Sequence, residues 1–304
     1  MKRLKQWLKK PLDYLAFRVA SGDLEERLLL AQGNQLARRA HGLKNLSNID
    51  DAEFRIFSQF GDDGIIQYLT SHTAFRSKTF IEFGVENYAE SNTRFLLMNN
   101  NWSGLVLDGS EDNITELKQC DYYWRYDLVA ESAFITAENI NDLLSHRTFA
   151  EVGLLHIDID GNDYWIWHSI NSIQPAVVIV EYNSVFGKER AITIPYSPGF
   201  QRTKAHYSNL YFGASLPALA PLGARKGYAF VGSNSAGNNA YFVRVDLLNE
   251  DIKEVSIEQG YRMSKFRESR NQEGDLTYLA GEDRLRQISG LPVVNVETDE
   301  IENL

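Results

Sequence analysis

A single cysteine in 304 residues, Cys120, excludes an intrachain disulfide framework and fits a reducing compartment. No apolar run is long enough to cross a bilayer, and no hydrophobic signal region with a cleavage site is present, so the expected location is the cytoplasm. Internal repeats and low-complexity tracts are missing too, which excludes a solenoid or a long disordered linker. Positive charge is scarce beyond the opening. Residues 1–44 carry +6, so the rest must hold −16 to reach the net −10, and a body this acidic is a poor nucleic-acid binder. What is present, 43% hydrophobic and 24% charged residues, can bury a full core as one large domain with or without appendages.

Residues 1–50 read as a helical N-terminal extension. In its first part Leu4, Trp7, Leu8, Leu12 and Leu15 recur at helical spacing among lysines. Amphipathic helices mainly face a core, so packing on the body or on a second copy in a homo-oligomer is the first reading; peripheral membrane contact through residues 1–18 is the second. A second helix is expected from about Asp23 to His41, a stretch rich in Leu, Ala, Arg and Gln.

The body, residues 51–248, is organised by three short apolar segments that each end in an acid: Thr79-Phe-Ile-Glu-Phe-Gly84, Gly104-Leu-Val-Leu-Asp108 and Leu154-Leu-His-Ile-Asp-Ile-Asp160. Each reads as a buried strand with helical segments between, and Ala176-Val-Val-Ile-Val-Glu181 adds a wholly apolar central strand. One further strand falls at either 123–127 or 133–135, and Thr136 reads as the N-cap of a helix reaching Leu144. Alternating strands and helices predict an α/β fold, a doubly wound Rossmann-like sheet that is mostly parallel. Ligands of such sheets sit at the strand carboxyl ends, where these acids collect. The segments 227–232 and 240–245 are joined by too few residues for a crossover helix, so the sheet should finish in an antiparallel hairpin.

In this order the blocks Ser58-Gln-Phe-Gly-Asp-Asp-Gly64, Phe80-Ile-Glu-Phe-Gly84, Trp102-Ser-Gly-Leu-Val-Leu-Asp108, Leu155-His-Ile-Asp-Ile-Asp160 and Tyr211-Phe-Gly-Ala-Ser-Leu216 resemble the FkbM-type branch of class I S-adenosylmethionine-dependent methyltransferases. The resemblance covers about residues 55–248. It implies methyl transfer from S-adenosylmethionine to an oxygen, commonly on a sugar or other small hydroxylated acceptor, hence a carbohydrate or glycan precursor. The loop Gly84-Val-Glu-Asn87 lacks the further glycines that a pyrophosphate cradle needs, which argues against a dinucleotide but not against a donor without phosphate. Asp108 is then expected at the ribose hydroxyls, Gly84 at the donor's close approach, and Glu82 either at the methionine amino group or as a cap of the next helix. Gln59 and Asn87 complete the expected cofactor contacts.

Methyl transfer requires an aligned acceptor oxygen and a base for its proton. If the fourth and fifth strands are neighbours, Asp158, Asp160, Asp163, Glu181 and Asn183 meet at their ends. Asp160 is the first candidate as base or metal ligand, with Asp158 and His206 as further catalytic candidates and Asp160 with Glu181 as a Mg²⁺ pair. His206 lies in the long segment 183–209, of a length often used for lids. Two other classes remain open: a metal-dependent glycosyltransferase using Asp158-Ile-Asp160, and a noncatalytic scaffold. Residues 249–304 read as an acidic tail that is mobile or faces a partner.

Overall fold

The computed structural model describes residues 24–145, 151–265 and 267–304. The expected basic helix with its membrane face lies outside the described residues. Helix α1 covers 24–42. It is followed by α2 (Asp62–His72), α3 (Arg94–Asn100), α4 (Glu111–Gln119), α5 (Ile140–Ser145), α6 (Asp163–Ser169), α7 (Arg202–Ala205), α8 (Leu216–Arg225), α9 (Ile257–Gly260) and α10 (Glu282–Gln287). The strands are β1 (Thr79–Phe83), β2 (Ser103–Asp108), β3 (Leu128–Ser132), β4 (Leu154–Ile157), β5 (Val177–Glu181), β6 (Ile192–Thr193), β7 (Tyr228–Ser233), β8 (Asn239–Arg244), β9 (Pro292–Asn295) and β10 (Glu300–Asn303).

Seven strands form one sheet in the order β3-β2-β1-β4-β5-β8-β7. All are parallel except β8, which runs antiparallel to both β5 and β7. This is the expected doubly wound Rossmann-like sheet with its terminal hairpin. Both faces are apolar because alternate residues supply opposite cores. Phe80, Val106, Leu154 and Ile179 pack with α2, α3 and α4, whereas Ile81, Leu105, Leu155 and Val178 pack with α5, α6 and α8. At roughly 1.5–3 kcal/mol for each such side chain removed from water, a register slip by one residue would lose both layers together. Order reverses between β1 and β4, and the crevice that opens there is where ligands of such sheets bind.

Three expectations change. The uncertain third strand falls at Leu128–Ser132, between the two alternatives, where it pairs with β2 from Gly104↔Leu128 to Asp108↔Ser132. It is an edge strand buried only on alternate residues, so it lacks the continuous apolar run of a central strand. Thr136 caps a turn ahead of α5, which begins only at Ile140. The segment expected as a tail is folded against the body: β9 pairs with β6 and β10 in a second, three-stranded sheet, and Ile288 and Val293 are buried with Phe186, Ile192 and Ile194. No helix among the described residues is long and apolar enough to cross a membrane.

Candidate active site

A cavity of about 660 Å³ opens at the carboxyl edge of the main sheet. Because parallel strands deliver their last residues to one edge, Glu82, Asp108, Asp158 and Glu181 all line it, from β1, β2, β4 and β5. Gln59, Gly84 and Asp160 line it as well. Gln59 is carried there by a turn fixed by Asp63, whose Oδ2 accepts from the backbone N–H groups of Ile56, Phe57 and Ser58 at 2.7–2.9 Å. Burial pushes the Asp63 carboxyl up to about 6 despite these bonds.

Glu82 acts inward, on the protein. Its carboxylate accepts from the Asn92 N–H (2.9 Å), the Thr93 N–H (3.1 Å), the Ser91 hydroxyl (2.6 Å) and the Thr93 hydroxyl, and it faces His156 Nδ1 at 2.9 Å. This is the capping alternative: Glu82 ties down the turn before α3. Burial alone would raise its pKa, but the hydrogen bond and charge of His156, with the two hydroxyls, hold it below the ordinary value. His156 is raised in turn, because Glu82 outweighs the burial that favours neutral imidazole. The two form a buried ion pair.

Gly84 follows with φ +71°, and a Cβ there would overlap the Asp158 carbonyl oxygen. Only glycine permits β1 and β4 to approach this closely at their ends. Asp108 accepts from the Glu86 N–H at 2.8 Å through Oδ2, and from the Ser110 N–H (2.8 Å) and Asn113 Nδ2 (3.1 Å) through Oδ1. It therefore braces the loop after β1 from the end of β2, and Oδ2 keeps a lone pair for a ligand hydroxyl. Phe134 stands beside it, 49% exposed at the β3 end of the cavity.

The acids of β4 and β5 divide into two groups. Asp160, with φ +57°, turns outward: 61% of its side chain is exposed and it pairs with Arg202 Nη1 at 2.6 Å. Asp158, Asp163 and Glu181 converge, each offering an oxygen within 4.8 Å of the others. Asp163 is committed to the loop, accepting from the Ile159 and Gly161 N–H groups at 2.8 and 2.9 Å. Glu181 is 7% exposed, and its Oε2 has no hydrogen-bond partner among the described residues. Burial first, then the charges of Asp158, Asp160 and Asp163, drive its pKa well above the ordinary value. Burial and Asp160 likewise push Asp158 up to about 7, against the pull of His156 and Arg202.

Several expected sites move. The metal-capable group among the described residues replaces Asp160 with Asp158 and Asp163 beside Glu181. Asp158 and Asp160 accordingly diverge, unlike the paired ligands of a sugar-nucleotide motif. His206 does not line the cavity; it hydrogen-bonds Ser208 at 2.7 Å through Nδ1 and stacks on Tyr207. Asn87 also falls outside, donating to Glu116 at 3.1 Å. Of the long segment after β5, Phe200 and Phe212 reach the cavity, and Phe200 lies over Gly161. Ser264, Glu268 and Arg284, from the segment read as a tail, line it unforeseen. Their sequence carries no motif, and only the pairing of β9 with β6 brings that segment back.

No family model and no curated protein matches the chain in sequence. Among solved structures it is similar to an O-methyltransferase from Bacillus cereus in complex with SAH, at 12% identity and TM-score 0.40 over 71% of this chain and 90% of that one. Similar too is the N-terminal domain of EvdMO1 with SAH bound, at 12% identity and TM-score 0.38 over 69% of this chain and 93% of that one. A putative O-methyltransferase from Klebsiella pneumoniae matches at 12% identity and TM-score 0.40, again over 71% and 90%. A likeness this distant says nothing of activity or substrate.

Proposed function

We propose that the chain is an S-adenosylmethionine-dependent O-methyltransferase of the FkbM type, acting on a hydroxyl of a sugar or glycan precursor. The observation that carries this is the placement of Asp158, a carboxylate raised to about 7, one strand away from the Gly84 and Asp108 cradle. The donor is a sulfonium cation, and the carboxylates of Asp108 and Asp158 on the cavity wall favour it electrostatically. Asp108 takes the ribose hydroxyls, and half-exposed Phe134 offers a face to the adenine. The methyl end then lies over β1 and β4, where Asp158 accepts the acceptor hydroxyl's proton during in-line displacement. A polyhydroxylated acceptor is supported by Asn162 and Asn239, which line the cavity and whose buried Oδ1 atoms have no donor among the described residues.

A second reading rests on the orphaned Glu181 Oε2. Asp158, Asp163 and Glu181 fit a hard divalent cation such as Mg²⁺, which when bound would lower the acceptor hydroxyl's pKa and fix its position. In that case Asp160 and Arg202 close the rim of the site and hold no ion.

Calorimetric titration with S-adenosylhomocysteine tests the donor, with UDP-sugars plus Mn²⁺ in parallel. Micromolar binding of the first, lost in Asp108→Ala, is the expected result. Binding of a nucleotide sugar alone would overturn the reading in favour of glycosyl transfer, and binding of neither would leave the scaffold.

A further inference from the structure

Arg284, in the first turns of α10, is 6% exposed and lines the cavity. Its Nη1 makes two long bonds, both 3.3 Å, to the carbonyl and hydroxyl oxygens of Ser264, and its Nε has no acceptor among the described residues. The other buried arginine, Arg94, pairs with Glu26 at 2.7 Å, and the less buried Arg262 and Arg202 pair with Asp50 at 2.8 Å and Asp160 at 2.6 Å. Arg284 forms no ion pair among the described residues. The strongest charge acting on it is that of Arg202, which repels it and, after burial, lowers its pKa further. A guanidinium stays charged at any working pH, so the fold holds a buried cation beside a second cation with no paired anion among the described residues.

We propose that Arg284 binds an oxyanion, a phosphate or carboxylate group, carried by the methyl acceptor. This rests on the methyltransferase reading of the same cavity. Position separates the group from the donor's own carboxylate. Asp108 and Phe134 mark the β2 and β3 side, whereas Arg284 enters with Ser264 and Asn238 at the opposite end, beyond β5 near the start of β8. The guanidinium makes only the two long bonds through Nη1 among the described residues, which leaves Nη2 for such a group. The acceptor hydroxyl then lies between this anchor and Asp158, so the anchor selects which hydroxyl meets the methyl group.

The test uses the full chain saturated with S-adenosylhomocysteine and follows thermal unfolding with added inorganic phosphate or acetate, each matched in ionic strength with chloride. Wild type should be stabilised by one or both anions, the responsive one naming the acceptor's group. Arg284→Gln should bind that anion about tenfold more weakly or worse, Arg284→Lys should be intermediate, and S-adenosylhomocysteine affinity should be unchanged in both. Without anion Arg284→Gln should melt no lower than wild type, since it removes an unpaired buried charge, whereas a purely structural arginine would leave it less stable. The proposal is overturned if neither anion stabilises wild type beyond chloride, if Arg284→Gln responds equally, or if that variant loses S-adenosylhomocysteine instead. Failure of S-adenosylhomocysteine to bind wild type would sink the methyltransferase reading separately, with the anion response still readable in its absence.

Discussion

Glu82 and His156 are register partners on adjacent parallel strands, and their side chains meet at 2.9 Å with both groups buried. The pair joins the two strands between which the sheet order reverses. Replacing His156 with Phe leaves Glu82 enclosed without its counter-charge and should cost about 3–5 kcal/mol, read by urea denaturation at pH 6. His156 has a raised folded pKa, so its stabilisation is complete below 6.5 and fades as pH rises through the folded value. Glu82 has a lowered folded pKa, so its share is complete above 4.5 and fades as pH falls through the folded value. The pair is therefore strongest between about 4.5 and 6.5. Stability that is equally different between wild type and variant at pH 5.5 and pH 9 would contradict this account.

Gly84→Ala places a methyl group against the Asp158 carbonyl at a left-handed φ. The neighbouring backbone cannot move without opening β1 from β4. The variant should bind S-adenosylhomocysteine at least about tenfold more weakly and lose about 1–3 kcal/mol of stability. Gly199→Ala, where an added Cβ meets nothing within 4 Å, serves as the control and should change neither. Retained affinity in Gly84→Ala would show that this approach does not shape the donor site.

Most of this architecture was legible in the sequence because parallel strands buried on both faces are written as apolar runs, and β1, β2, β4 and β5 all carry one. The acids that close them were legible for the same reason: a strand's last residue must emerge at the ligand edge. Three things were not. Edge strand β3 alternates buried and more exposed residues over five positions, and its apolar run ends after three, Leu128, Val129 and Ala130. Strand β6 is two residues long and gains meaning only from β9, about a hundred residues later. The division of labour between Asp158 and Asp160 depends on a backbone turn: φ +57° at Asp160 sends its carboxylate out to Arg202, and no spacing rule anticipates it. Arg284 was invisible because nothing local distinguishes it from the arginines around it.

His206→Gln should leave kcat almost intact. The imidazole stands outside the cavity against Ser208 and Tyr207, and partial burial lowers its pKa without placing it near the acceptor. A general base typically contributes 10²–10⁴-fold, so a loss of less than about tenfold in initial-rate assays is expected. A fall of a hundredfold or more would restore His206 as the base.

Asp158→Asn separates function from stability. In the folded protein this carboxyl titrates at about 7 against an ordinary 3.8, so between those values the folded state holds a proton that the unfolded chain has released. Its contribution to stability therefore falls as pH rises from 3.8 to about 7 and stays low above that. The amide has no such dependence. Asp158→Asn should match wild type near pH 4 and exceed it at pH 8, on the order of 1 kcal/mol after discounting for solvent that reaches the group, or about 2–4 °C in Tm. Catalysis needs the deprotonated carboxylate, so wild-type kcat should climb through pH 7 and the variant should lose about 10²–10⁴-fold. A variant less stable than wild type at pH 8 would mean that Asp158 is held ionised by something bound beside it, and restoration of that difference by added Mg²⁺ would identify the acid trio as a cation site.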